Sequence, residues 1–142
     1  MYYAICYVST ANNLSEDDIK SLLSNTAKKN LTNNISGILI HNSGNFLQYM
    51  EGTQAAIQAV FFNKIAQDKR HKDLIVIVDK KTKHLYFNGY ETGFTSILKN
   101  NNTARLRSYI KLLKQLDSDE VTALTSTIES FLGKSSKSSS FD

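Results

Sequence analysis

Tryptophan is absent from this chain of 142 residues, and cysteine occurs once. The first absence excludes tryptophan from any electron-transfer role. The second excludes a disulfide framework within one chain. Cys6 lies inside a strand-like run with no electropositive partner beside it, so it reads as a small buried thiol rather than a nucleophile. No apolar run reaches membrane-spanning length, and MYYAICYV opens as a strand rather than as a basic region followed by a signal core. A cytoplasmic location is the expectation. The chain contains no phosphate-binding P-loop, no dinucleotide fingerprint and no nucleophile with a base nearby. His41, His71 and His84 are isolated, which leaves no metal site to expect.

What is present suits one compact domain with an appendage: 41% of residues are hydrophobic, enough for a single core. The net charge of +4 is dispersed among Asp and Glu, so it does not establish nucleic-acid binding. Seven Tyr and seven Phe offer surface for a core or for stacking on a planar ligand.

Tyr2 to Val8 has strand composition. Ser15 can cap a helix from about Glu16 to Lys29, with Asp17 and Asp18 in its positive first turn. The stripe Ile19, Leu22, Leu23 and Ala27 is its apolar face, with Thr26 and Asn30 alongside. ISGILIH and NFLQYME follow as a hairpin turning at Asn42, Ser43 and Gly44. A second helix from about Gln54 to Gln67 puts Ile57, Val60, Phe61 and Lys64 on one face. DLIVIVD is the clearest strand, and HLYFNGYETGF reads as a shorter fifth.

This order predicts an α+β fold, a ferredoxin-like five-stranded mixed sheet with two helices on one face. Leu106, Tyr109, Ile110 and Leu113, then Val121, Leu124, Ile128 and Leu132, form two further stripes joined through Asp117 to Glu120. Packing that C-terminal helical hairpin on the other face is the simplest way to bury both, with a partner or second subunit as the alternative cover. Residues 1–98, 99–133 and 134–142 therefore divide into a domain, a hairpin that begins with a polar linker from Lys99 to Thr103, and a tail expected to be disordered.

Read singly, the polar residues of the first unit are unremarkable. Tyr7 would be a core aromatic with its hydroxyl satisfied, Asn30 a helix terminator, and Lys64, Arg70 and His71 a solvated face. Gln48 is harder to dismiss, because an inward amide between Phe46 and Met50 is costly unless bonded. Alternation puts Ile5 and Tyr7 on one face of their strand, and Phe46, Gln48 and Met50 on one face of theirs.

Taken together, ICYVSTA, KKNLTNNISGILI, GNFLQYMEG and QDKRHKDL stand in the order and approximate spacing of BLUF domains, across most of residues 1 to 94, and the chain resembles that family. The resemblance implies a blue-light photoreceptor that binds FAD non-covalently, with FMN or riboflavin as alternatives, and that is not an enzyme. It implies Tyr7 and Gln48 as the photoactive pair. Thr26, Asn30, Lys64, Asp68, Arg70 and His71 are then further cofactor contacts. Tyr90 and Thr92 stand on the expected fifth strand where the family often has Trp and Met, and would relay the signal. The proline common between the acidic residue and the Arg-His pair is Lys69 here. Output would pass to an unidentified downstream protein or through self-association. The rivals are an RNA-binding module of the same topology, whose basic-glycine-aromatic pattern is missing, and an acyl-phosphate hydrolase, whose anion loop is missing.

Overall fold

The computed structural model describes residues 1–99 and 103–133. The expected disordered tail, 134–142, and residues 100–102 of the linker lie outside the described residues. The chain divides between Leu98 and Lys99 into two compact units.

In the first unit, β1 (Tyr2–Ala11), α1 (Glu16–Thr32), β2 (Ser36–Asn42), β3 (Asn45–Gly52), α2 (Gln54–Val60), β4 (His71–Thr82) and β5 (Phe94–Leu98) follow one another. The sheet order is β4-β1-β3-β2-β5, with β5 parallel to β2 and the other pairs antiparallel. This is the ferredoxin-like arrangement with one strand added beyond β2. Ile5, Leu39, Phe46 and Met50 from the sheet join Ile19 and Leu23 of α1 and Ile57 of α2 in one buried cluster, so both helices cover the same face. Ala4, Cys6, Ile38, Ile40, Leu47 and Tyr49, which point the other way, are also buried.

Local chemistry sets the boundaries. Ser15 and Asp18 close a reciprocal cap at the start of α1, Asp18 N–H donating to Ser15 Oγ at 3.1 Å and Ser15 N–H to Asp18 Oδ2 at 3.2 Å. The helix runs to Thr32, one turn past the expected end, because the residue that adopts the left-handed conformation is Asn34 (φ 57°) and not Asn30. The hairpin turns on Ser43 and Gly44, both at positive φ, which fixes Asn42 opposite Asn45. Every later pair in both ladders of β3 follows from that register.

The apolar run in β4 belongs to an outermost strand, with Ile75, Val76 and Ile77 exposed, and two register shifts against β1 disrupt its ladder. One further expectation changes. The fifth strand is Phe94–Leu98, not the HLYFNGYETGF segment. Glu91 (φ 53°) and Gly93 (φ 107°) turn the chain at positive φ and the ladder with β2 begins only at Phe94, so Tyr90 and Thr92 precede the strand.

In the second unit, α3 (Ala104–Lys114) and α4 (Asp119–Leu132) pair as a helical hairpin. Leu106, Ile110 and Leu113 are buried, as are Val121, Leu124, Ile128 and Leu132, while Tyr109 is half-buried. Ser118 Oγ accepts from Val121 N–H at 3.1 Å, so α4 begins inside the segment expected to be its connection. No described helix is long and apolar enough to cross a membrane.

At Gly37 the β3 backbone occupies the space a side chain would need. A Cβ there would lie 1.9 Å from the Tyr49 carbonyl oxygen, and its φ of 145° disfavours any other residue. Gly37→Ala should therefore lower the unfolding free energy by about 3 kcal/mol or more, read from urea denaturation. An unchanged midpoint would contradict this account of the sheet.

Candidate functional site

The antiparallel register of β1 and β3 sets Tyr7 directly opposite Gln48, and Leu39 of β2 flanks Gln48 on its other side. Both polar side chains emerge on the helix-covered face, beneath α1. Asn30, in the last turn of α1, completes the group. Asn30 Nδ2 donates to Gln48 Oε1 at 3.1 Å, and Gln48 Nε2 donates to Tyr7 Oη at 2.6 Å. All three residues are at most 4% exposed. Burial raises the Tyr7 pKa, opposed by the hydrogen bond from Gln48, so the phenol is neutral at pH 7.

This chain of bonds forms the wall of a cavity of about 400 Å³. Tyr7, Thr26, Asn30, Gln48, Lys64, Asp68, Arg70 and His71 all line it. Thr26 and Asn30 share a face of α1 at four-residue spacing. Lys64 arrives differently: α2 passes into a π-helical turn over Phe61–Ile65, closed by Ala66 N–H donating to Phe61 O at 2.8 Å. A π turn holds an extra residue, so side chains after it are rotated from an ordinary helical wheel. Lys64 and Ile65 both reach the cavity lining.

The Asp68–Arg70 corner is closed by its own side chain. Asp68 Oδ1 accepts from Arg70 N–H at 2.9 Å, and Arg70 Nη2 donates to Asp68 Oδ2 at 2.6 Å. An Asx-type turn thus shapes the loop where proline is replaced by Lys69. The Arg70 hydrogen bond holds the Asp68 carboxyl below the usual carboxylate range, and Asp68 in turn raises Arg70. His71 Nε2 lies 2.8 Å from Ile65 O, an acceptor only, so Nε2 carries a proton. Its Nδ1 lies 2.7 Å from Ser9 Oγ, and the ring meets Tyr7 edge-on at 5.9 Å. Both ring nitrogens are engaged by protein, and among the described residues no cluster could hold a metal ion.

Tyr90 and Thr92 do not line the cavity. Tyr90 is buried against Phe87 at a 6.1 Å ring separation, Phe87 packs on Tyr49, and Tyr49 lies on the face of β3 opposite Gln48. Thr92 Oγ1 bonds Phe94 O at 3.3 Å. Sequence reasoning missed Asn25, Lys28, Lys29, Thr32 and Asn33, which also line the cavity. Lys29 and Asn33 stand three residues beyond Thr26 and Asn30, which was the available signal; no such spacing marked Asn25, Lys28 or Thr32.

A family model described as BLUF, sensors of blue-light using FAD, matches residues 2–93. Photoactivated adenylate cyclase subunit alpha of Euglena gracilis is 36% identical over 74 residues, 51% of this chain. Its alpha-like protein FB is 38% identical over 72 residues. The chain spans 7% of the length of each. Among solved structures, the BLUF unit of BlrP1 superposes with a TM-score of 0.63 at 29% identity, covering 78% of this chain and 75% of that one. The dark state of BlrB, a BLUF protein, superposes at 0.65 with 23% identity, covering 89% and 94%, which speaks to the fold alone.

The depressed Asp68 carboxyl gives a pH signature. Its contribution to stability is fully present above the unfolded value of about 4 and lost as pH falls through the folded pKa. Asp68→Asn should melt slightly below the parent at pH 7, by under about 1 kcal/mol for so exposed a pair, and the two should converge as pH falls through the folded pKa of Asp68. Melting curves that stay parallel would contradict the pairing.

Proposed function

The chain belongs to the BLUF family, sensors of blue light using FAD, and on that premise we propose that Tyr7, Gln48 and Asn30 carry its light response. The observation that supports this reading most is the buried chain of bonds from Asn30 through Gln48 to Tyr7 along one cavity wall.

The residues fit a flavin. The cavity volume lies within the range of small-molecule sites. Leu39, Phe46 and Ile65 offer apolar surface to a planar ring, and the Asn30 and Gln48 amides can both donate to and accept from its polar edge. Lys28, Lys29, Lys64 and Arg70 surround the same cavity and suit an anionic tail. Bound flavin supplies a ring that absorbs blue light and becomes an oxidant when excited.

Tyr7 is the phenol in the wall. It holds its proton in the dark because burial disfavours the phenolate, whereas an oxidised phenol is strongly acidic. Gln48 Nε2 already donates to Tyr7 Oη, so this amide cannot accept the Tyr7 proton as it stands. Turned over, or tautomerised, it presents an acceptor to that hydroxyl. An overturned amide would also point its NH₂ at the Asn30 NH₂, two donors without an acceptor, so Asn30 must turn with it. Two discrete bonding patterns follow, not a continuum. The difference is worth about 0.5–1.5 kcal/mol per bond, enough to bias a balanced element.

The product is then a conformational signal, and the chain acts as a sensor rather than as an enzyme. It passes that signal to a downstream protein or to a second copy. The RNA-binding alternative is poorly served, since Phe46 and Tyr49 are both buried and point to opposite faces of β3.

Flavin-loaded protein should be yellow and shift its absorption reversibly to longer wavelength under blue light. Gln48→Leu should keep the flavin and lose the shift, and a persisting shift would remove Gln48 from the mechanism. Tyr7→Phe should bind flavin without a normal photocycle, and an unaltered photocycle, followed by transient absorption, would exclude Tyr7 as the donor.

A further inference from the structure

Glu51 is completely buried and takes no part in the cavity. It follows Gln48 by three residues on β3, so the two side chains leave the strand on opposite faces. Its carboxylate accepts from Ser36 Oγ at 2.6 Å, from Tyr86 N–H at 2.7 Å and from Phe87 N–H at 2.8 Å. The Tyr49 side chain adds a further bond. Burial raises the carboxyl pKa while each of these bonds opposes the rise.

Two of those donors are successive backbone amides of the segment between β4 and β5, which has no strand partner of its own. Such groups, once buried, need an acceptor, and one carboxylate supplies both. That grip places Phe87, fully buried, 5.6 Å from Tyr49 and 6.1 Å from Tyr90. Between Gln48 and Glu51, β3 is paired without interruption to β1 on one side and to β2 on the other. A displacement of the strand at Gln48 is therefore delivered to Glu51 with little slack.

We propose that Glu51 is the positioning residue that ties the β4–β5 segment to the photoactive strand, so that rearrangement at Gln48 changes the grip on Tyr86 and Phe87. This rests on the light response proposed above. It places the first step of signal exit on the opposite face of β3, three residues from Gln48, and makes Tyr90 a follower of Phe87.

Amide hydrogen exchange of the flavin-loaded protein, in darkness and under blue light, tests it, with the flavin band shift recorded on the same samples. In the parent, the Tyr86 and Phe87 amides should exchange about tenfold faster under light. E51Q replaces one carboxylate oxygen by an NH₂, so at least one of the two amides loses its acceptor and should exchange fast in darkness, with no light-dark difference of its own, while the band shift persists. Should E51Q fail to fold, Ser36→Ala, which strips one donor from the carboxylate, serves in its place and should narrow the difference. A normal band shift with unchanged Tyr86 and Phe87 exchange in the parent would overturn this inference alone. So would a full light-dark difference in the folded variant. Absence of the band shift in the parent would instead overturn the photochemical reading, and this one with it.

Discussion

The Gln48 amide is buried between the Tyr7 phenol and the Asn30 amide, and the site depends on that arrangement. An unbonded buried polar group costs about 1–3 kcal/mol. The two flanking side chains therefore pin Gln48 while it pins them, and neither partner can be changed without stranding a donor or an acceptor. Because an amide has one donor end and one acceptor end, the chain of bonds has a direction, and reversing it requires two amides to turn. A group so constrained has few states, which is what a switch requires.

The fold supplies the constraint from three directions. The hairpin turn at Ser43 and Gly44 sets the β2–β3 register, and the β1–β3 ladder then brings Tyr7 opposite Gln48. The capped helix α1 runs one turn past its expected end and carries Asn30 in over the sheet. The π turn after α2 and the self-closed Asp68–Arg70 corner complete the cavity and bring cationic groups to it. On the opposite sheet face the single thiol, Cys6, is buried, and burial pushes its pKa up to about 12, so it stays protonated at neutral pH.

Most of this frame was legible in the chain. Alternation in β1 and β3 already put Tyr7 and Gln48 on one side, and the Ser15–Asp18 cap and the Asn-Ser-Gly turn announced where α1 begins and where the hairpin bends. The bond between Asn30 and Gln48 was not legible, because each residue by itself pointed only to a ligand or to a helix end. The β4–β5 segment was misread for a physical reason. Its aromatic residues carry strand propensity, but its amides are satisfied by a carboxylate about 35 residues earlier, a contact that no local pattern reports.

The central claim is that light acts on the Gln48 side chain. Infrared light-minus-dark difference spectra of flavin-loaded protein, with and without ¹³C at the glutamine side-chain carbonyl, address it directly, because among the described residues Gln48 is the one buried glutamine. An isotope-sensitive amide carbonyl band that appears on illumination and decays with the flavin shift is the predicted result. A flavin shift accompanied by no isotope-sensitive glutamine band would contradict the account.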